Sequence, residues 1–260
     1  MADKMAASMN QCLGKHMKPV AILQHEQHMG PGSLHECLQQ LAVPLQLIRT
    51  DKGQAVPKDA QAFSGIVLLD SERSALDRLN WIRAELSLCK ESLAQGVPVL
   101  GLGYGAQLLA VAAGGSVAPS NSPSYGWTPS WLTPQAGAWF DVPTRLEIFN
   151  AHDHTLELPP EAECFLLDRH CHNKGFTLGQ NMGLLCPLGL TPVDLVAWCA
   201  RKGTKLAQAK GPDVQNRISM QRALPERMGK LNTLAHRIFT RWAQQLPGAP
   251  RPVDFVRLAA

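Results

Sequence analysis

The chain has 260 residues, 45% hydrophobic and 18% charged, which is ordinary for a globular protein and enough to bury one sizeable core. No apolar run reaches the roughly eighteen residues of a membrane-spanning helix, so none is expected. Seven cysteines, an odd number with no CxxC pair, fit a reducing compartment better than a disulfide framework, and a cytoplasmic protein is expected.

The opening residues 1–17 are polar and Met-rich without a continuous apolar stretch, and read as a disordered leader. Lys18–Gln24 is a short apolar run that ends in the loop His25–Gly32. Ser33–Leu41 follows with Leu34, Cys37, Leu38 and Leu41 on one helical face. Pro44–Arg49 and Ala62–Leu69 are β-like, the second with the unbroken apolar character of a strand buried on both faces. Leu76–Gln95 is an amphipathic helix, Val97–Gly101 a buried strand and Ala106–Ala113 a helix. Ser116–Phe149 carries more Pro, Trp and turn residues and reads as antiparallel strands and loops. Further strands are predicted at Phe165–Leu167, Gly175–Leu178 and Met182–Leu185.

Strands alternating with helices imply βαβ units and a mostly parallel sheet, with sites at the strand C-termini. The formal charge is +4, but Arg201–Ala260 holds twelve Lys/Arg against Asp213, Glu226 and Asp254. Leu231, Leu234, Ile238, Phe239 and Trp242 recur at helical spacing within Leu224–Leu246, so these basic residues form the solvated face of a helix. No aromatic-interleaved nucleic-acid motif accompanies them, and nucleic acid is not an expected partner. The chain divides into a leader (1–17), an α/β domain (18–200) and a basic helical extension packed on it (201–260).

The most informative stretch is Gly96–Gly115, GVPVLGLGYGAQLLAVAAGG. A buried strand enters a Gly-flanked turn and a helix begins at once, the geometry that projects one strained residue above a sheet edge at the positive end of a helix. This segment resembles the elbow of class I glutamine amidotransferases, G-x-C-x-G followed by Gln-Leu-Leu and Gly-Gly. Here it reads Gly101-Leu102-Gly103-Tyr104-Gly105, then Gln107-Leu108-Leu109 and Gly114-Gly115. Gln24-His25, Gly30-Pro31-Gly32, Tyr125-Gly126-Trp127 and His152-Asp153-His154-Thr155 extend the resemblance over most of Lys18–Leu246. It implies a flavodoxin-like three-layer α/β fold.

The chemical motifs depart from the family. Gly103 stands where the resemblance places the nucleophilic cysteine, and a glycine forms no acyl-enzyme. The family's His and Glu positions fall on Pro187 and Gly189, or on Cys186 and Leu188 when the register shifts by one. After the third strand, Leu69-Asp70-Ser71 replaces the usual Gly-Gly-Pro. The resemblance therefore implies a member without glutaminase activity, acting as a binding, regulatory or partner subunit beside a synthase-type or regulated enzyme, or as a homodimer. No cofactor is expected. The vacated pocket is expected among Leu69, Asp70, Gly103, Tyr104, Gln107 and Cys186, with Tyr104 either closing it or packing on the neighbouring loop.

Two other chemistries are open to the sequence. Cys171 or Cys186 could stand in as a nucleophile given a base within reach, although buried cysteine is commonly a small hydrophobe. His152 with His154, and His170 with His172, lie two apart; on a strand each pair shares a face and offers two imidazoles to a metal, haem or small molecule.

Overall fold

A computed structural model describes residues 17–249. The leader reading, apart from Met17, and the end of the basic extension lie outside those residues. Among the described residues, nine strands form one sheet in the order β2-β1-β3-β4-β9-β8-β7-β5-β6. The first five are mutually parallel: β1 (Val20–Gln24), β2 (Leu45–Arg49), β3 (Gly65–Leu68), β4 (Val99–Leu102) and β9 (Asn181–Leu184). The sheet then turns antiparallel through β8 (Gly175–Leu178), β7 (Glu163–Asp168), β5 (Ser116–Leu132) and β6 (Arg145–Glu157).

Residues of β1, β3, β4 and β9 are buried without alternation, because helices cover both faces. One layer is α1 (Gly32–Gln40) and α8 (Leu224–Ala243). Leu34 and Leu38 meet Leu231, Ile238, Phe239 and Trp242 there, above Val20, Ile22 and Val67. The opposite layer is α2 (Asn80–Gln95) and α3 (Tyr104–Ala112), whose Ile82, Leu88, Leu108 and Leu109 pack on Leu23, Ile66 and Leu68. The α/β class and the three layers are as the sequence implied.

The proline-rich middle is more regular than expected. Ser116–Leu132 is a single 17-residue strand paired with β6, its register broken only between Pro119 and Ser124, where two of its prolines can be absorbed without costing ladder bonds. The same region also holds a helix, α4 (Pro134–Phe140), where strands and loops were expected. Thr133 caps it by accepting from the Ala136 N–H, and Pro134 occupies its first turn. After β9, Thr191 and Asp194 form a reciprocal capping box that opens α5 (Pro192–Arg201). Two short helices, α6 (Gly203–Gln208) and α7 (Arg217–Gln221), lead to α8.

The last helix belongs to the core. Phe239 is fully buried, and Trp242 with Leu246 closes over Gly65, where a Cβ would lie 2.4 Å from Leu246 Cδ2. Phe239→Ala should therefore cost about 3–5 kcal/mol. Urea unfolding checks this; a loss under about 1 kcal/mol would mean that α8 is only an appendage.

Candidate functional site

The strand C-termini of β1, β3, β4 and β9 converge on the turn between β4 and α3. Gly103 occupies that turn at φ 55°, ψ −112°, a conformation strained for any residue with a Cβ. Its neighbour Gly105 lets α3 approach β3, since a Cβ there would lie 2.1 Å from the Leu68 carbonyl oxygen. The elbow geometry expected from Gly96–Gly115 is present.

What fills the elbow comes from the next loop. Asp70, just after β3, places its carboxylate where a side chain at Gly103 would project: a Cβ built there lies 2.0 Å from Asp70 Oδ1. Two backbone N–H groups converge on that oxygen. Tyr104 N, at the start of α3, and Ser71 N each donate to Oδ1 at 2.8 Å. These donors, one of them at a helix N-terminus, suit an oxygen carrying negative charge. Burial raises the Asp70 carboxyl to about 6, against the pull of those two N–H groups.

A cavity of about 320 Å³ opens above Asp70 and Gly103. Gln107 is fixed in its wall, its Oε1 accepting from Ser74 Oγ and Ala75 N at 3.1 Å each. Of the expected pocket residues, Asp70, Gly103 and Gln107 line this cavity. Leu69 instead borders an adjoining cleft of about 30 Å³, together with Pro187 and Gly189.

Tyr104 and Cys186 line neither space. Tyr104 turns beneath the elbow, where its hydroxyl donates to Glu85 Oε2 at 3.0 Å and its ring meets His25 edge-on. His25 Nε2 lies 3.0 Å from both Glu85 oxygens, and its ring stacks on Trp81. Glu85 is wholly buried and was missed in the sequence, though it leaves a signal. It falls in the apolar stripe Ile82, Glu85, Leu88, Cys89 of α2, where a carboxylate needs a buried partner.

The two cysteines proposed as substitutes are buried, and burial pushes the Cys171 thiol up to about 12 and the Cys186 thiol up to about 11. Neither is activated as a nucleophile.

The four candidate histidines are dispersed in their bonding. His152 and His154 do lie on one strand, β6, but His152 is buried with Nδ1 3.1 Å from the His154 carbonyl oxygen. Burial, and then the Lys174 ammonium, lower His152 to about 4. His154 pairs with Asp153 at 2.8 Å. His170 and His172 are in the turn after β7 rather than on a strand, and His170 bonds Asp213 at 2.6 Å. Asp168 draws that turn tight by accepting from the His170 and Cys171 N–H groups, so the shared-face expectation fails there. Among the described residues, no group of three or more His, Cys, Asp or Glu side chains could hold a metal ion.

A second buried pair, Lys174 with Asp168, stands beneath β5. Burial would raise Asp168, yet the Lys174 ammonium holds it below the usual carboxylate range. Ser130 Oγ and Thr128 Oγ1 accept from Lys174 at 3.1 and 3.5 Å.

Residues 32–184 match the family model for glutamine amidotransferase class I. The chain belongs to that family. The crystal structure of a glutamine amidotransferase from Methylobacillus flagellatus has a TM-score of 0.86 and 32% identity, covering 91% of this chain and 98% of that one. A glutamine amidotransferase from Thermotoga maritima shares the fold at TM-score 0.77 and 22% identity, over 88% of this chain and 99% of that one. GMP synthase from Tropheryma whipplei is 40% identical over 80 residues, which are 30% of this chain and 16% of that protein. The matched part is thus a small fraction of the curated relatives. No helix among the described residues is long and apolar enough to cross a membrane.

Asp70 yields a pH prediction. Its ordinary value is 3.8 and its folded value about 6, so between them the folded state holds the extra proton and stability falls as pH rises. Asp70→Asn should therefore be more stable than the unsubstituted protein by about 2–3 kcal/mol above pH 6, with the gap closing below pH 4. Urea unfolding at pH 4 and pH 7.5 measures this. A gap that widens on acidification would contradict the assignment.

Proposed function

We propose that this class I amidotransferase-family chain does not hydrolyse glutamine and serves as a binding or partner subunit. The observation that carries the reading is the occupancy of the elbow. Gly103 supplies no nucleophile, and the carboxylate of Asp70 fills both the direction of a side chain there and the pair of N–H groups that would otherwise stabilise an oxyanion. Pro187 and Gly189, where the family resemblance sets the base and its orienting acid, have no side chain able to move a proton. The family-model match also stops at residue 184, just before that segment.

A partner role draws support from the curated relatives, GMP synthases in which the matched stretch lies within a much longer chain. A second reading, a small-molecule sensor on the same scaffold, is favoured by the cavity above Asp70. The histidine-based metal or haem reading has less support: His154 and His170 pair with carboxylates, and although His152 Nε2 has no partner, no three ligating side chains gather among the described residues.

Glutamine hydrolysis, followed as ammonia release, should be at the buffer background for the unsubstituted protein. Gly103→Cys should remain inactive, because the new Cβ collides with Asp70 and no base stands by. Turnover by the unsubstituted protein above background would sink the reading.

A further inference from the structure

The charges around the cavity show which ligand it suits. Asp70 is anchored by one oxygen only. Oδ1 takes both N–H donors, whereas Oδ2 accepts no hydrogen bond, and no Lys, Arg or His side chain lies within ion-pair distance of either oxygen among the described residues. The cations at the rim are otherwise engaged. Lys202 pairs with Glu72 at 3.0 Å, and Lys205 pairs with Asp153 at 2.8 Å.

Four carboxylates line the cavity (Asp70, Glu72, Asp77, Asp153) against three cations (Arg73, Lys202, Lys205). An incoming anion would meet a fixed carboxylate with its N–H donors already used. A cation would find that carboxylate held in place and lacking a partner. Aromatic Tyr125 and Trp198, with Met29 and Leu185, complete the wall and suit a short alkyl body behind a charged head.

We propose that this cavity binds a small aliphatic molecule bearing an ammonium group, held by the Asp70 carboxylate. The inference rests on the non-glutaminase reading, since it needs Asp70 rather than an acyl group above Gly103. No bond is made or broken. The ligand's N–H groups donate to the free Asp70 oxygen, and its alkyl part displaces water from the aromatic wall.

Binding should require the ionised carboxylate, so affinity should fall on acidification through about pH 6. The charged and titratable groups that face Asp70 are His25 from the loop after β1, Lys202 at the end of α5 and Cys186 after β9. His152 and the His154–Asp153 pair line the same cavity from β6.

Ethylammonium is the probe, with ethanol and acetate as the matched neutral and anionic controls, followed by ligand-observed NMR. The full chain should bind ethylammonium with millimolar or better affinity and in preference to both controls. That affinity should drop about tenfold from pH 7.5 to pH 5. Asp70→Asn keeps an oxygen for the two N–H groups but loses the charge; it should weaken ethylammonium about tenfold and remove most of the pH dependence. Preference for acetate, no ethylammonium binding at millimolar concentration, or equal binding by Asp70→Asn would each overturn the proposal. Glutaminase turnover, measured in parallel on the same protein, would overturn the non-glutaminase reading while the binding result still reports on the Asp70 site.

Discussion

One tight glycine turn fixes the geometry on which the rest of the site depends. At Gly103 the chain passes from a buried parallel strand directly into a helix through one residue at positive φ, a conformation open to glycine. The turn aims the Tyr104 N–H back across the sheet edge at the loop after β3. That loop answers with Asp70, and one carboxylate oxygen joins the two segments through the Tyr104 and Ser71 N–H groups. The usual consequence of an elbow is a projecting side chain above an empty pair of donors. Here the donors are satisfied from within the chain, and Gly103, which takes positive φ at no Cβ penalty, leaves the space that the carboxylate occupies.

The parallel half of this architecture was legible because its physics is local. Strands such as Val20–Gln24 and Gly65–Leu68 are apolar at every position, and the glycines at 101, 103 and 105 mark the tight strand-to-helix passage. The antiparallel half was less legible. Prolines 119, 123 and 129 suggested loops, yet a register break takes up the first two and the strand continues through Pro129, opposite Glu147. The short helix at Pro134–Phe140 depends on a capping threonine and one proline, a signal too small to stand out beside those turn residues. The placement of His170 and His172 in a turn is set by Asp168, whose carboxylate gathers the local N–H groups.

Parts of the site were legible as positions but hidden as contacts. The sequence singles out Asp70, Gly103 and Gln107, because they flank the elbow or replace a family residue. It does not say that Asp70 would take the donors, since that follows from the approach of two loops 34 residues apart in the chain. Nor does it say where Tyr104 points. Its hydroxyl is drawn downward by Glu85, which sits on the buried stripe of α2 and also holds His25. A carboxylate in an apolar stripe is readable as an anomaly, but its partners are set by the packing of α2 against α3.

The inward-facing carboxylates Asp168, Glu85 and Asp70 fall into two kinds, and the contrast bears on function. Asp168 has Lys174 and two N–H groups; Glu85 has His25 and the Tyr104 hydroxyl. Each of these carboxylates is surrounded by donors, as a buried charge must be if it is to serve the fold. Asp70 is different. It is held firmly on one side and left open to a cavity on the other, with Lys202 and His25 beyond ion-pair distance. Burial raises the proton affinity of that carboxyl, even as its Oδ1 joins two segments of the fold. A carboxylate fixed in direction that borders a ligand-sized space has the physical properties of a recognition element.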